Sequence, residues 1–107
     1  MSNNEKTRKF PVVTLCGSTK FKDEFIEAQK ELTLKGYIVI SVGLFGHSGD
    51  DLRGLKEMLD EMHKRKIDMA DEIFVINKDG YIGHSTRSEI EYAKANNKKI
   101  TYLEDQF

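Results

Sequence analysis

The sequence predicts an α/β fold in which helices cover both faces of a parallel β-sheet. Short apolar runs rich in β-branched residues alternate with longer amphipathic stretches along the 107 residues of the chain. Strands that are apolar throughout are typical of parallel sheets, because helices bury both of their faces. With 38% apolar and 33% charged residues, the chain can form one hydrophobic core and keep a hydrated surface. We therefore expect one domain.

Four apolar runs are predicted to be strands, and three amphipathic stretches are predicted to be helices. The strands are Val12–Leu15, Tyr37–Ser41, Ile73–Ile76 and Ile100–Leu103, and the helices are Phe21–Lys35, Leu52–Ala70 and Ser88–Asn96. In the helices, apolar residues recur every three or four positions with charges between them. Gly36 directly follows the first helix, where glycine commonly ends a helix. Residues 10–104 are expected to form the domain, and residues 1–9 a flexible leader.

Right-handed crossovers between these strands predict the strand order 2-1-3-4, in a flavodoxin/Rossmann-like three-layer sandwich of four to five strands. Strands 1 and 3 are then adjacent at the centre of the sheet. Ligands of open α/β sheets bind at the carboxyl ends of the strands, where the strand order reverses. The turns after strands 1 and 3 are the most distinctive loops of the chain, so we expect a nucleotide site between them.

The charge and composition of the chain argue against several kinds of partner. The formal net charge of −1 offers no general attraction for nucleic acid or anionic lipid, and the basic run His63–Lys66 is expected to be a solvated helix face. No apolar run approaches the roughly 20 residues of a membrane span. The single cysteine, Cys16, favours a reducing, cytoplasmic location. Because the histidines and Cys16 lack the spacing of metal ligands, neither a metal nor another cofactor is expected.

The turn after the first strand, Cys16-Gly17-Ser18-Thr19-Lys20, has the composition of an anion site. Gly17 allows close approach of the backbone, and the unpaired N–H groups of a following helix favour a phosphate. Ser18 and Thr19 add hydroxyl groups, and Lys20 adds a positive charge. The spacing fits equally well a turn in which a hydroxyl only caps the helix and Lys20 is solvated.

The turn after the third strand is similar, with Gly80, Gly83, Ser85 and Thr86 near a predicted helix start. It can form a second anion site that faces the first. Glu89 follows, and an ionised carboxylate beside a bound sugar can attack the anomeric carbon as a nucleophile. Thr86 and Glu89 also match a capping box, in which the glutamate bonds the backbone at the helix start. The spacing alone favours this capping role.

The glycine-rich segment after the second strand has two interpretations. Phe45 and His47 can close over a nucleobase by stacking, or the segment is a mobile loop in which Asp50 or Asp51 caps the next helix. We favour the second interpretation. The methionines of the following helix are expected to be core residues rather than ligand contacts: Met58, Met62 and Met69.

Two blocks of the sequence carry a family resemblance. The first is Val12–Lys20, an apolar strand followed by Cys-Gly-Ser and then a basic residue. The second block begins with Ala70–Ile76, in which Ala-Asp is followed by an apolar strand. A glycine-containing turn follows, and the block ends with Ser88–Ala93. In order and spacing these blocks resemble the nucleoside 2-deoxyribosyltransferase family, and most closely its 2′-deoxynucleoside 5′-phosphate N-hydrolase branch. The resemblance extends over residues 12–103.

The resemblance implies that Glu89 is a catalytic nucleophile and that the two turns bind substrate. The expected substrate-binding residues are Cys16, Gly17, Ser18, Thr19, Lys20, Gly83, Ser85 and Thr86, with Phe45 and His47 from the segment after the second strand. Two positions depart from the family pattern, because Thr14 replaces a tyrosine and His63 replaces an assisting aspartate. A histidine can exchange protons near neutral pH, and Asp60 or Asp68 can take over the role of the aspartate.

We therefore expect an N-glycosidase or deoxyribosyltransferase, which cleaves or exchanges the N-glycosidic bond of a (deoxy)nucleoside or its 5′-monophosphate. The protein is expected to be a homodimer or higher homo-oligomer and to bind neither nucleic acid nor membranes. The alternative is a nucleotide-binding sensor on the same fold that has lost the catalytic acid. Release of a free base from nucleotides distinguishes the two.

Overall fold

The computed structural model describes residues 10–45 and 53–105, so the predicted leader lies outside the described residues. The strands in these residues are β1 (Val12–Gly17), β2 (Ile38–Ile40), β3 (Glu72–Ile76) and β4 (Lys99–Tyr102). The α-helices are α1 (Lys22–Leu34), α2 (Lys56–Asp68) and α3 (His84–Ala95), with short 3-10 turns at Thr19–Phe21, Arg53–Leu55 and Lys78–Gly80. No helix in these two ranges is both long enough and apolar enough to cross a bilayer.

The strands form one parallel sheet in the order β2-β1-β3-β4, which confirms the predicted topology and the flavodoxin/Rossmann-like α/β fold. β1 extends two residues beyond the predicted end, so that Gly17 pairs with Ile76 at the end of β3. The carboxyl ends of the two central strands therefore lie level with each other. The turns that follow them begin side by side.

Two apolar layers lie on opposite faces of the sheet. The first contains the buried residues of α1 and the strand residues that they contact: Phe25, Ala28, Leu15 and Ile76. The second contains the buried residues of α2 and α3 and their strand partners: Ile67, Ile90, Ala93, Cys16, Ile73 and Val75. Successive residues of a strand point to opposite faces, so Leu15 and Cys16 belong to different layers. Cys16 therefore faces α2 and α3.

α1 ends at a left-handed glycine, as predicted. Gly36 has a φ of 95°, which a residue without a Cβ adopts at little cost. The N–H groups of Gly36 and Tyr37 donate to the carbonyls of Thr33 and Leu32, each at 3.0 Å. These hydrogen bonds satisfy carbonyl groups that a helix leaves unpaired at its end. The chain then enters β2 within two residues.

α3 begins at His84, four residues before the predicted start at Ser88. The carbonyl of Gly83, the residue before the helix, accepts a hydrogen bond from the N–H of Arg87 at 2.9 Å. Thr86 and Glu89 therefore lie inside the helix, and the predicted capping box is wrong. Residues three apart share a helix face, and here both side chains are buried. The Thr-x-x-Glu spacing thus reflects an inward face of α3.

The prediction that three methionines belong to the core is wrong: Met58, Met62 and Met69. All three are exposed, with relative accessibilities of 46%, 43% and 69%. The interior face of α2 is instead formed by His63 and Ile67, which are one helical turn apart. The polar residue His63, and not the adjacent Met62, thus lies on the interior face of α2.

Candidate active site

A cavity of about 810 Å³ opens at the carboxyl ends of β1 and β3. Its wall consists of the turn after β1, residues 42–44 after β2, one face of α2, and parts of the segment from Tyr81 to Glu89. This volume lies within the range of small-molecule pockets and suits a nucleotide. The cavity is located where the strand order reverses, the usual ligand position in an open α/β sheet.

Gly17 is required by the close approach of β1 to β3. Its φ is 155°, and a Cβ at this position would lie 2.9 Å from both the Cβ and the carbonyl oxygen of Ile76. The Ser18 hydroxyl accepts a hydrogen bond from the N–H of Lys20 at 3.3 Å and so caps the 3-10 turn. Gly17, Ser18 and Thr19 also line the cavity. The turn therefore combines the two roles that the sequence left open, capping and contact with the cavity.

Lys20 packs against an aromatic ring. Among the described residues, it is not one of those that line the cavity. Its Nζ is 3.6 Å from the centroid of the Tyr81 ring, within cation–π distance. Tyr81 lines the cavity and packs edge-to-face on Phe21 with centroids 5.9 Å apart. Tyr81 could not be identified from the sequence, because it is distant from the first turn along the chain and the two come into contact only in the folded protein.

The α2 wall of the cavity supplies a lysine that the sequence analysis also missed. The Lys56 ammonium lies 3.0 Å from Asp60 Oδ2 and 3.1 Å from the hydroxyl oxygen of Ser85, so it connects α2 to the first turn of α3. All three residues line the cavity. Lys56, Asp60 and His63 recur at spacings of three and four residues, which is the pattern that could have indicated a polar inward face.

The prediction that His63–Lys66 forms a solvated helix face is wrong for His63 and for Lys66. His63 is only 7% exposed. Lys66 is partly buried, lines the cavity, and donates a hydrogen bond to the carbonyl of Ser41 at 2.9 Å. The Thr14 hydroxyl is fully buried and donates to the carbonyl of Lys66 at 2.9 Å. Thr14 therefore attaches β1 to α2.

His63 is a neutral hydrogen-bond donor in this site. Its Nε2 lies 3.0 Å from the carbonyl oxygen of Leu15, and because a carbonyl only accepts, Nε2 carries a proton. Burial, assisted by the charge of Lys66, lowers the pKa of His63 to about 4, and the Leu15 carbonyl offsets this only in part. The ring is therefore uncharged near pH 7.

Glu89 is a nearly buried carboxyl group on the cavity wall, with 9% exposure. Burial raises its pKa to about 7, and the negative charge of Asp60 adds to this rise. A hydrogen bond from Cys16 and the charges of Lys64 and Lys56 act in the opposite direction. Near neutral pH both the carboxylic acid and the carboxylate are therefore populated.

His63 and Glu89 are close but do not form an ion pair near neutral pH. Nε2 and Oε1 are 3.9 Å apart, a distance at which opposite charges would attract. Burial lowers the pKa of His63 and raises the pKa of Glu89, so it favours the neutral form of each group. The Nε2 proton is moreover directed at the Leu15 carbonyl. We therefore assign a neutral imidazole beside a titrating carboxyl.

Cys16, His63 and Glu89 also form a group of potential metal ligands, with their ligand atoms within 4.8 Å of one another. These residue types suit zinc. However, Nε2 donates its proton to Leu15, and burial raises the pKa of the Cys16 thiol, so that it stays protonated. A cation would have to displace both protons, so the arrangement fits a hydrogen-bonded cluster better than a metal site.

Three further predicted site residues have other surroundings. Asp68 accepts a hydrogen bond from the Tyr92 hydroxyl at 2.6 Å and pairs with Arg65 at 3.1 Å, away from the cavity wall in the described residues. Phe45 packs edge-to-face on Phe25, with centroids 5.6 Å apart, and belongs to the core against α1. Cys16 is fully buried behind the wall. The other residues predicted for the segment after the second strand lie outside the described residues: His47, Asp50 and Asp51.

The remaining predicted residues surround one cavity: Gly17, Ser18, Thr19, His63, Gly83, Ser85, Thr86 and Glu89. They come from β1, α2 and α3 and from the turns at the ends of the central strands. No family model, no curated protein and no solved structure matches the chain. The geometry of this cavity and the chemistry of its residues therefore carry the functional conclusion.

Proposed function

We propose that the protein cleaves or exchanges the N-glycosidic bond of a (deoxy)nucleoside or its 5′-monophosphate, with Glu89 as the nucleophile. The observation that carries the proposal is a nearly buried carboxyl, with a pKa of about 7, on the wall of a nucleotide-sized cavity. Perturbed carboxyl groups in clefts are common at catalytic sites. The family resemblance of the sequence supports the same residue.

The proposed reaction has two steps. The Glu89 carboxylate attacks C1′ of the sugar, the C1′–N bond breaks, and the base leaves with the bonding electrons and takes up a proton from solvent water. Water or a second base then attacks C1′, the C1′–O bond to Glu89 breaks, and the carboxylate is regenerated. Because only the ionised form attacks, the rate should rise with pH through the pKa of Glu89, about 7.

Asp60 is the second carboxyl group in the proposed mechanism. His63 is a poor general acid, because its pKa is about 4 and its Nε2 proton is directed at Leu15. Asp60 lines the cavity and is oriented by the Lys56 ammonium at 3.0 Å. Its carboxylate can accept a proton from the attacking water, the usual role of the second carboxyl in glycoside hydrolysis.

The proposed position of a 5′-phosphate is the start of α3. The residue before the helix is Gly83, which has no side chain to cap the first N–H groups. The Ser85 hydroxyl and the Lys56 ammonium lie 3.1 Å apart beside this turn. Helix dipole, hydroxyl and ammonium all favour an anion. A homodimer is also part of the proposal, since β2 and β4 are the outer strands of the described sheet. A cytoplasmic location is proposed from the single cysteine of the sequence.

A non-catalytic nucleotide sensor is the second candidate. The observation that favours it is the neutral state of His63, at the position where the family has an assisting aspartate. In such a protein the protonated Glu89 would donate a hydrogen bond to the ligand. The sensor would bind nucleotides and release no base.

The experiment compares the wild type with Glu89→Gln on a panel of nucleosides and 5′-monophosphates, with free base measured by chromatography. Glu91→Gln is the matched control, because Glu91 is exposed on the same helix. We expect base release by the wild type and the control, and a loss of several orders of magnitude in Glu89→Gln. Mass spectrometry of the quenched wild type should detect a glycosyl group on Glu89. Base release by Glu89→Gln at the wild-type rate would refute the proposal.

A further inference from the structure

Lys66 supplies an ammonium group to the cavity wall near the end of β2. Its Nζ donates a hydrogen bond to the carbonyl of Ser41 at 2.9 Å, and Ser41 directly follows β2. The Thr14 hydroxyl donates to the backbone carbonyl of Lys66 at 2.9 Å and attaches this turn of α2 to β1. Lys66 is partly buried and lines the cavity. Both its backbone and its ammonium are therefore held in place by neighbouring segments.

The Lys66 ammonium and the Glu89 carboxyl reach the cavity from different sides. Lys66 is bonded to Ser41 after β2, whereas Glu89 belongs to α3, which follows β3. In the sheet, β1 lies between β2 and β3. Neighbouring strands are about 4.8 Å apart, so one to two strand spacings, roughly 5–10 Å, separate the two groups. A nucleobase with a hydrogen bond at its far edge fits this span.

The cavity wall around the Lys66 ammonium is mostly apolar. The other lining residues on this side come from the segment after β2 and from the adjacent face of α2: Val42, Gly43, Leu44, Leu59 and Met62. Leu59, Met62 and Lys66 are spaced by three and four residues, so they share one helix face. Apolar walls with a few placed polar groups are typical of small-molecule sites, in which the polar groups fix the orientation of the ligand. This part of the cavity therefore suits a flat aromatic ring.

The ammonium of Lys66 has hydrogen-bond donors left for a ligand. An ammonium has three N–H groups and no acceptor, and the Ser41 carbonyl takes one of them. Within residues 10–45 and 53–105, no second acceptor bonds Lys66 Nζ. A carbonyl group on the ring can accept from it, whereas an amino group at the same place is itself a donor. A site built around such a donor rejects a ligand that leaves it unpaired.

We propose that Lys66 selects bases with a carbonyl at the edge furthest from C1′, which is O4 of uracil and thymine or O6 of hypoxanthine and guanine. This inference rests on the proposed function, because it names the substrate class of the same cavity. With the sugar over Glu89, the base extends toward β2 and its carbonyl oxygen accepts a hydrogen bond from the Lys66 ammonium.

The same contact assists departure of the base. As the C1′–N bond breaks, its electrons pass to the base and spread onto the carbonyl oxygen, where the ammonium stabilises the developing negative charge. The base then takes up a proton from solvent water, and Lys66 stays an ammonium. His63 cannot serve here, because its Nε2 proton is directed at the Leu15 carbonyl.

The test compares 2′-deoxynucleoside 5′-monophosphates in pairs that carry a carbonyl or an amino group at this position, uracil with cytosine and hypoxanthine with adenine. Lys66→Met removes the ammonium and keeps an unbranched side chain. Lys98→Met is the matched control: the Lys98 ammonium is also partly buried and donates to a backbone carbonyl, that of Ala70 at 2.8 Å, but among the described residues Lys98 does not line the cavity. Base release gives kcat/KM for each substrate. Calorimetry gives the affinities, with each substitution combined with Glu89→Gln to prevent turnover.

We expect the wild type to favour the carbonyl member of each pair. Lys66→Met should reduce this preference roughly 10- to 100-fold in kcat/KM, and in the same direction in affinity, while Lys98→Met keeps it. The proposal is overturned if the wild type lacks the preference, if Lys66→Met retains it, or if Lys98→Met loses it as well.

Two further outcomes are separated by the design. Should Lys66→Met fail to fold, Lys66→Gln replaces it, because glutamine can still donate to Ser41 but also accepts from an amino group, so the same loss of preference is expected. A wild type that binds nucleotides and releases no base refutes the proposed function, while the preference measured by calorimetry still decides the role of Lys66.

Discussion

Replacing Glu89 by glutamine should stabilise the protein at pH 8 and change its stability little at pH 4.5. The pKa of Glu89 is raised by burial from an ordinary 4.5 to about 7. Below pH 4.5 the group is protonated in both the folded and unfolded states, so it does not alter the free energy of unfolding. Between pH 4.5 and 7 Glu89 ionises in the unfolded chain while it stays largely protonated in the folded protein, so the free energy of unfolding falls as the pH rises. Above pH 7 the loss is complete.

The magnitude follows from the size of the shift. The pKa of Glu89 rises from 4.5 to about 7. At 1.36 kcal/mol per pH unit, burial of the ionised carboxylate lowers the free energy of unfolding by roughly 3 kcal/mol at pH 8. Glutamine removes this cost and keeps the size and hydrogen-bonding ability of the side chain. For a domain of this length, 3 kcal/mol corresponds to roughly 13 °C in Tm. A gain in stability with a loss of function is the usual relation at active sites.

The contribution of His63 to stability depends on pH in the opposite direction, which gives the test a second expected result. Its folded pKa of about 4 lies below the ordinary 6.5, so the stability it contributes is present above pH 6.5 and lost as the pH falls toward 4. In the wild type the two effects nearly cancel between pH 4.5 and 6.5. In Glu89→Gln only the His63 effect remains, so stability should rise with pH across this range.

Urea denaturation at pH 4.5, 6 and 8 measures these differences, with Glu91→Gln as the control on the exposed side of α3. The free-energy difference between Glu89→Gln and the wild type should grow from near zero at pH 4.5 to roughly 3 kcal/mol at pH 8. A difference that does not change with pH, or a variant less stable than the wild type at pH 8, would refute a raised pKa for Glu89.

Three further substitutions test the placement of other residues. Gly17→Ala should lower the free energy of unfolding by about 2–4 kcal/mol in urea denaturation, because its Cβ would meet Ile76 at 2.9 Å; a variant as stable as the wild type would contradict this contact. Asp68→Asn should leave base release within about twofold of wild type, because Asp68 bonds Tyr92 and Arg65 away from the cavity; a large loss would return Asp68 to the site. Lys56→Gln should weaken binding of a nucleoside monophosphate roughly tenfold more than binding of the nucleoside in calorimetry. Equal losses would place the phosphate elsewhere.

The strand order and the location of the cavity could be predicted from the sequence. Four apolar runs separated by amphipathic stretches permit few topologies, because crossovers are right-handed and parallel strands are buried on both faces. The carboxyl ends of strands 1 and 3 were therefore expected to form the ligand end of the sheet. Gly36 was also predicted correctly, since the end of a helix depends on residues that are neighbours in the chain.

Only the tertiary structure decided which side chains meet inside the cavity. Lys20 follows the first turn in sequence, yet its ammonium lies on the Tyr81 ring, while Lys56 from α2 reaches Ser85 on α3. The spacing of Thr86 and Glu89 favoured a helix cap, but in the structure both residues are buried inside α3. Such choices depend on how each helix is rotated and shifted against the sheet, a property of packing between distant segments that no local pattern encodes. The pKa of Glu89 has the same origin, because burial in the folded protein is the largest cause of its rise.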